Sequence, residues 1–200
     1  GQGGFLIECA QKGYSAQGLE INPEKIEMAH KKAKAAAVHL DITQGIAEKI
    51  PFSDSEFDFL NASELIEHVE DPNHVLKEMA RVLRPGGKAY VSVHNRFGFR
   101  DSHFKIRGLN WMPRRLGERY LSLLGKHKEY HDRSGRQRIS KMHYYTWNGF
   151  RNIALRYGFK VEDMREQYAY KRGGKIGCMA YRYIIRPWCF NTFHSLLEKY

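Results

Sequence analysis

The sequence predicts an α/β domain built on a doubly wound, mostly parallel sheet. Two observations carry that expectation. Gly1-Gln2-Gly3-Gly4 leads into a helix-like stretch, Phe5 to Ala10, then a strand-like Ala16 to Leu19 that ends on Glu20. Beyond it, segments patterned as helix and as strand alternate up to Val93, the order expected of parallel strands joined by crossover helices. Glycines at such a turn let the backbone approach a ligand with no Cβ in the way. An acid at the following strand end is placed to accept hydrogen bonds from ribose hydroxyls.

The elements follow in order. Asn22-Pro23-Glu24 reads as a helix start, with a capping Asn, Pro at the first helical position and an acid in the first turn. Ile26, Ala29, Ala33 and Ala36 continue it at helical spacing. Val38-His39-Leu40 reads as a short strand, and Phe57 to Leu60 as another after the polar turn Pro51 to Glu56. Asp71-Pro72 starts a helix with Val75, Met79 and Val82 on one face; Pro85-Gly86-Gly87 closes it, and Ala89 to Val93 is a β-branched strand. The second half is less regular. A basic amphipathic segment, Phe97 to Lys126, is expected to be helical from about Pro113, and His127 to Lys141 reads as an exposed loop. Thr146 to Tyr157 reads as a helix stopped by Gly158, followed by the strand Phe159 to Val161. Gly173-Gly174 reads as a turn, Ile176 to Ile185 as a final strand, and the rest as an aromatic-rich tail.

Composition narrows the class. Two hundred residues with 42% apolar and 28% charged side chains are enough for one globular core and argue against disorder. Three scattered cysteines with no C-x-x-C argue against a disulfide framework or zinc site and point to a reducing, cytoplasmic setting. No apolar run approaches the roughly 18–20 residues of a membrane span. Charge is unevenly placed: residues 1–95 hold 10 Lys/Arg against 14 Asp/Glu, and residues 96–186 hold 22 against 7. That imbalance suggests that the second half faces an anionic substrate, a membrane surface or nucleic acid, or is simply a solvated basic face.

In sequence order, the glycines, Glu20, Pro51-Phe52, Phe57-Asp58, Glu67-His68 and Arg84-Pro85-Gly86-Gly87 resemble the class I S-adenosylmethionine-dependent methyltransferases, in the broad group that includes ubiquinone-biosynthesis O-methyltransferases. The likeness runs from Gly1 to about Val161. A nicotinamide dehydrogenase would need a further glycine where Leu6 stands. The resemblance implies a Rossmann-like fold of the methyltransferase type with its first strand missing from this chain. It also implies S-adenosyl-L-methionine as cofactor. Gly1 and Gly3 match the second and third glycines of the family's loop and would lie at the methionine end. Glu20 would hold the ribose, Ile21, Ile46 and Ala47 would surround the adenine, and Asn61, Ala62 and Ser63 would lie near the methionine moiety. Many members have Asp where Ile46 stands, so the adenine amino contact falls to backbone or to Glu48. The leading acid and first glycine of the loop are absent. The chain is therefore expected to be a fragment of a longer protein, with the rest of the signature upstream, poorly stable alone and weak in cofactor binding.

Methyl transfer from a sulfonium is an in-line displacement that asks mainly for alignment of donor and acceptor. A hydroxyl acceptor also needs a base or a metal. His94, just after a strand, and His68 are the candidate catalytic residues; His94 could be a base with a pKa near neutrality or a hydrogen-bonded wall residue. Glu64, Glu67 and His68 share one face if their segment is helical and form an alternative metal-ligand set. The same string occurs in family members without metal, so the expectation is that it shapes the pocket and holds none. The region 97–142 is expected to act as a lid that selects substrate, with Phe97, Phe104, Trp111 and Met112 offering apolar surface and Arg107, Arg114, Arg115 and Arg119 anion contacts. Tyr144 is either a cleft wall or a core aromatic. Residues 1–96 would form the cofactor-binding core and 143–200 would complete the same domain. The reading that follows is methyl transfer to a small or lipid-linked anionic acceptor, at oxygen, with contact to the inner face of a membrane. The alternatives are an RNA-directed methyltransferase and a cofactor-binding domain without activity.

Overall fold

The computed structural model describes residues 1–126, 138–188 and 190–200. Most of the expected elements are present. Helix α1 (Gly4–Gln11) leads to β1 (Gln17–Glu20) and α2 (Pro23–Ala35). Asn22 caps α2, its Oδ1 accepting from the Glu24 and Lys25 amides at 2.8 and 3.2 Å. Strand β2 (Asp41–Gln44) pairs in parallel with β1. The expected strand at Val38-His39-Leu40 is not there. Ladder pairing begins only at Asp41, opposite Gln17, because Leu40 is buried against Ala29 and Ala33 of α2 instead of joining the sheet.

Strand β3 (Phe57–Ala62), α3 (Pro72–Val82) and β4 (Leu83–His94) build the centre. Asp71 caps α3, and Val75, Leu76, Met79 and Val82 bury one stripe of it. Arg81 then organises the preceding loop: its guanidinium donates to the carbonyls of Phe52 and Ile50 and to the carboxylates of Asp54 and Glu78. β4 is buried on both faces, with Ala89, Val91 and Val93 toward one core and Ser92 and His94 toward the other.

The sheet comes in two pieces: β1-β2, and a mixed sheet of order β3-β4-β6-β5, in which β5 is Phe159–Asp163 and β6 is Thr192–Lys199. Among the described residues neither β1 nor β3 has a second strand neighbour. Each piece has its own core, a small one between α1 and α2 and a large one between α3, α5 (Trp147–Arg156) and the mixed sheet; α4 (Arg114–Leu123) forms in the basic segment, as expected.

The C-terminal third departs from expectation. Helix α5 (Trp147–Arg156), capped by Thr146, and β5 (Phe159–Asp163) follow the pattern. The expected strand Ile176 to Ile185 is helical. Helix α6 (Met164–Ala180) continues through a π-helical turn (Tyr181–Ile185) into α7 (Arg186–Trp188). The Gly173-Gly174 turn does exist: Gly174 is non-helical (φ 58°, ψ −147°) and reverses the chain within α6. Residues 175–188 run back along 164–173 as a helical hairpin. Glu166 accepts from Arg182 and Arg186, Tyr181 donates to Asp163, and a Cβ on Gly177 would lie 2.9 Å from the Ala169 carbonyl. These long-range contacts outweigh the strand-like aromatic and β-branched composition. The expected tail is strand β6 (Thr192–Lys199), antiparallel to both β4 and β5, which buries Phe193, Ser195 and Leu197 in strict alternation. Part of the expected loop His127 to Lys141 lies outside the described residues; its end is anchored, with Ile139 buried in the lid core.

Phe193 sits where β6 meets α5, edge-on to Trp147 at 5.8 Å between centroids. Phe193→Ala is expected to destabilise the chain by about 3–5 kcal/mol. Leu123→Ala, at a position 86% exposed, is expected to stay within about 0.5 kcal/mol of the parent. Urea unfolding of the two variants measures both.

Candidate active site

The carboxyl ends of β3 and β4 hold a cluster of titratable side chains. His94, the last residue of β4, is 1% exposed. Its Nε2 lies 3.0 Å from Glu64 and 2.9 Å from Glu67, and its Nδ1 2.6 Å from the Ser102 hydroxyl. The Nε2 hydrogen bond runs to Glu64, so Glu67 is held beside the ring by charge; neither Glu67 oxygen accepts a hydrogen bond among the described residues. His103 stacks on His94 at 4.5 Å, and Tyr144 flanks the same ring at 5.2 Å.

Local structure explains the placement. The chain after β3 is a turn and not a helix, so the condition under which Glu64, Glu67 and His68 would share one face is not met. Glu64 has a left-handed backbone (φ 51°), and its amide donates to the buried Ser92 hydroxyl of β4 at 2.7 Å. That anchor turns the Glu64 carboxylate onto His94. From the other side Asp101, fully buried, accepts from the amides of His103 and Phe104 and from the Tyr144 hydroxyl. It thereby aims Ser102 and His103 at the cluster.

Burial disfavours a charged His94 ring, but the hydrogen bond of Glu64 and the charge of Glu64 and Glu67 outweigh it and push its pKa up to about 9. Glu64 is held down to about 2, chiefly by its hydrogen bond with His94. His94 is therefore a cation at neutral pH. The expectation of a base with a near-neutral pKa is corrected, because the ring is already protonated.

Residues 1–91 match the family described as a methyltransferase domain. Demethylmenaquinone methyltransferase from Bacillus velezensis is 34% identical over 103 residues, 50% of this chain and 44% of that protein. Ubiquinone biosynthesis O-methyltransferase from Klebsiella pneumoniae is 32% identical over 98 residues, 48% of this chain and 40% of that protein. The chain thus spans less than half the length of these curated relatives. In three dimensions it matches an S-adenosylmethionine-dependent methyltransferase from Methanosarcina mazei over 100% of this chain and 88% of that one, with a TM-score of 0.63 at 21% identity. Residues 1–91 thus match a methyltransferase domain, and the whole chain has the fold of that Methanosarcina protein.

The cofactor positions expected of such a methyltransferase lie at the carboxyl ends of β1, β2 and β3. Glu20 ends β1, accepts from the Asn22 amide at 3.1 Å and contacts the Gly1 amine. Ile21 follows it, and its carbonyl accepts from Gln44 Nε2 at 3.2 Å. Ile46 is largely exposed just after β2, whereas Ala47 packs against the main core. Glu48, the suggested substitute adenine contact, accepts from the Glu70 amide. Asn61 and Ser63 are exposed around a buried Ala62. Gly3 has a left-handed backbone (φ 77°), and a Cβ there would come 2.8 Å from that of Ala29; its glycine is required by packing against α2 as well as by the turn.

The substrate-side expectations divide. Phe97 and Trp111 are partly exposed and joined by a hydrogen bond from Trp111 Nε1 to the Phe97 carbonyl. Arg114 is half-buried over the Tyr144 ring at 4.4 Å, whereas Arg115 is exposed. Tyr144 is buried in a lid core with Phe104, Leu109, Leu121, Ile139 and Met142, so it and Phe104 are packing residues that also back the cluster. His68 lies 3.7 Å from Glu67 but outside the tight group of ligand atoms. Ser102, His103 and Arg96 escaped the functional reading. Nothing local in the sequence says that Asp101 turns Ser102 and His103 inward.

Two outcomes are expected. Glu20→Ala should weaken S-adenosylmethionine binding by about 10- to 100-fold in calorimetry, the cost of a lost charged hydrogen-bond acceptor. In chelator-treated protein, the stabilisation that His94 draws from its carboxylates is fully present below about pH 6.5 and lost as pH rises through about 9. The destabilisation caused by His94→Asn should therefore shrink above pH 9, and imidazole resonances titrating near 6.5 would contradict the ion pairing.

Proposed function

We propose that this methyltransferase transfers the methyl group of S-adenosylmethionine to an oxygen of a small or lipid-linked anionic acceptor. The observation that carries this reading is Glu67, a fully buried carboxylate with no hydrogen-bond donor among the described residues, beside the His94 cation at the carboxyl end of β4. In open α/β sheets ligands meet at such strand ends. A buried carboxylate lacking a donor is a ready partner for an acceptor O–H and can take its proton as the methyl group arrives. The adjacent imidazolium stabilises negative charge developing on that oxygen. A relative named for ubiquinone-biosynthesis O-methylation supports oxygen as the atom.

Arg96 and Arg114 support an anionic acceptor. Each keeps a buried Nη1 with no acceptor among the described residues. Burial lowers the pKa of both, and the charge of Arg96 lowers that of Arg114 further. A buried N–H without a partner costs about 1–3 kcal/mol, and two guanidiniums in mutual repulsion add to that. A carboxylate or phosphate on the acceptor answers both, close to the Tyr144 ring that flanks His94.

A second reading concerns a divalent cation. Glu64, Glu67, His94 and His103 offer ligand atoms within 4.8 Å of one another. Two carboxylates and two imidazoles suit a borderline divalent ion, and the unsatisfied Glu67 fits such a role. This set replaces the Glu64, Glu67 and His68 set considered from sequence. A cation held there would acidify an acceptor hydroxyl by direct coordination. Manganese and zinc titrations should show uptake that His103→Ala weakens and His68→Ala leaves nearly intact; equal losses would favour the helical-face set.

The main test is methyl transfer from labelled S-adenosylmethionine to extracted metabolites and lipids. Glu67→Gln is expected to lower turnover by about 100-fold or more while S-adenosylmethionine binds normally. Near-parental turnover would overturn Glu67's role, and label appearing only on nucleic acid would overturn the acceptor class.

A further inference from the structure

We infer that the helical hairpin 164–188 is a docking surface for an anionic lipid bilayer, with its tip lying in the headgroup layer. The hairpin is fastened to the domain along one face only. Cys178, Arg182 and Arg186, at helical spacing, turn inward to Glu166, and Tyr181 turns inward to Asp163. The opposite face of the returning arm carries Ile176, Met179 and Tyr183, again at helical spacing, 82%, 60% and 73% exposed. Ile184 beside them and Tyr168 on the outgoing arm are also exposed. Large apolar side chains gathered on one element, with none of the described residues packed over them, mark an interaction surface.

The charge says what covers it. Residues 164–188 hold six Lys/Arg and a single acid, Glu166. Arg182 and Arg186 take up that acid at the base. Lys171, Arg172 and Lys175 crowd the tip around the glycine turn; the two lysines make no ion pair among the described residues, and Arg172 lies over the Tyr168 ring at 5.5 Å. Cations next to exposed aliphatic and tyrosine side chains match the anionic headgroup layer and the acyl boundary beneath it. A second copy of this basic hairpin would bring like charges together. Nucleic acid would have no use for Ile176, Met179 and Ile184, which neither stack nor hydrogen-bond. No described helix is long and apolar enough to cross a membrane, so the hairpin lies in the interface. Its near end reaches the acceptor side of the domain: Trp188 packs edge-on to Trp111 at 6.3 Å, and Asn95, next to His94, donates to the Pro187 and Phe190 carbonyls.

The inference does not depend on the acceptor, and its test is binding. The whole chain is sedimented with vesicles of phosphatidylcholine alone and with vesicles containing about equal phosphatidylcholine and phosphatidylglycerol. Binding is expected only to the anionic vesicles and should fall with salt. Lys171→Gln and Lys175→Gln should each weaken it by about fivefold, the equivalent of about 1 kcal/mol per charge at the surface. Ile176→Glu with Met179→Glu should abolish it without changing S-adenosylmethionine binding, which controls for folding. Equal binding to neutral vesicles, or none to either, would overturn the inference. So would a dimer that the double variant dissociates with no vesicle binding, or tighter binding to a labelled RNA that competes with the vesicles.

Discussion

A buried imidazolium between two carboxylates, at the end of the most deeply buried strand, is the constraint on which the acceptor side of the molecule depends. A charge removed from water is tolerated only with partners, and the partners of His94 come from three separate parts of the chain. Glu64 and Glu67 come from the turn after β3, Ser102 and His103 from the start of the lid, and Tyr144 from the segment before α5. The His94 carbonyl also accepts from the Tyr145 amide at 2.9 Å. Removing the ring would leave two carboxylates facing each other and loosen three connections at once.

Much of the donor half was legible because its signals are local. Asn22-Pro23 is a cap whose hydrogen bonds lie within three residues, and Asp71-Pro72 repeats the device. Glu20 ends a strand because the strand itself is short and bounded. The acceptor half was less legible because its determinants are distant in sequence. Glu64 owes its orientation to Ser92, 28 residues away, and Tyr144 owes its own to Asp101, 43 residues away. The stretch Ile176 to Ile185 misled for the same reason. Its composition favours a strand, while Glu166, 16 to 20 residues back, holds it as a helix. Strand β6 is the opposite case: buried Phe193, Ser195 and Leu197 alternate with more accessible neighbours, a period-two signal present in the sequence and overlooked in an aromatic tail.

The two cores divide the labour. Gly3, Ala29 and Leu40 close a small core around the β1-β2 pair, which presents Glu20 and Ile21. The large core around β4 presents His94, and the lid core of Phe104, Leu109 and Tyr144 stands over it. The lid's contacts with His94 run through polar side chains and ring faces, not through a continuous apolar seam. Its apolar residues can therefore change with the acceptor while Asp101, Ser102 and His103 hold the register.

The charge distribution follows the same division and gives it a direction. S-adenosylmethionine carries a sulfonium, and the positions expected to hold it lie in the half with an excess of acids, 14 against 10. The proposed anionic acceptor, or the lipid layer proposed to carry it, would face the half with 22 basic residues against 7 acids. Opposite fields on the two sides bring donor and acceptor from opposite directions to the ends of β3 and β4. Transfer of the methyl group discharges the sulfonium, so the donor product loses its attraction to the acidic half as soon as the reaction is complete. In the proposed reaction the methylated acceptor would lose an ionisable hydroxyl but keep the anionic group assigned to Arg96 and Arg114. On this account the donor side resets by chemistry, whereas the acceptor side must release its product against an attraction that the reaction leaves in place.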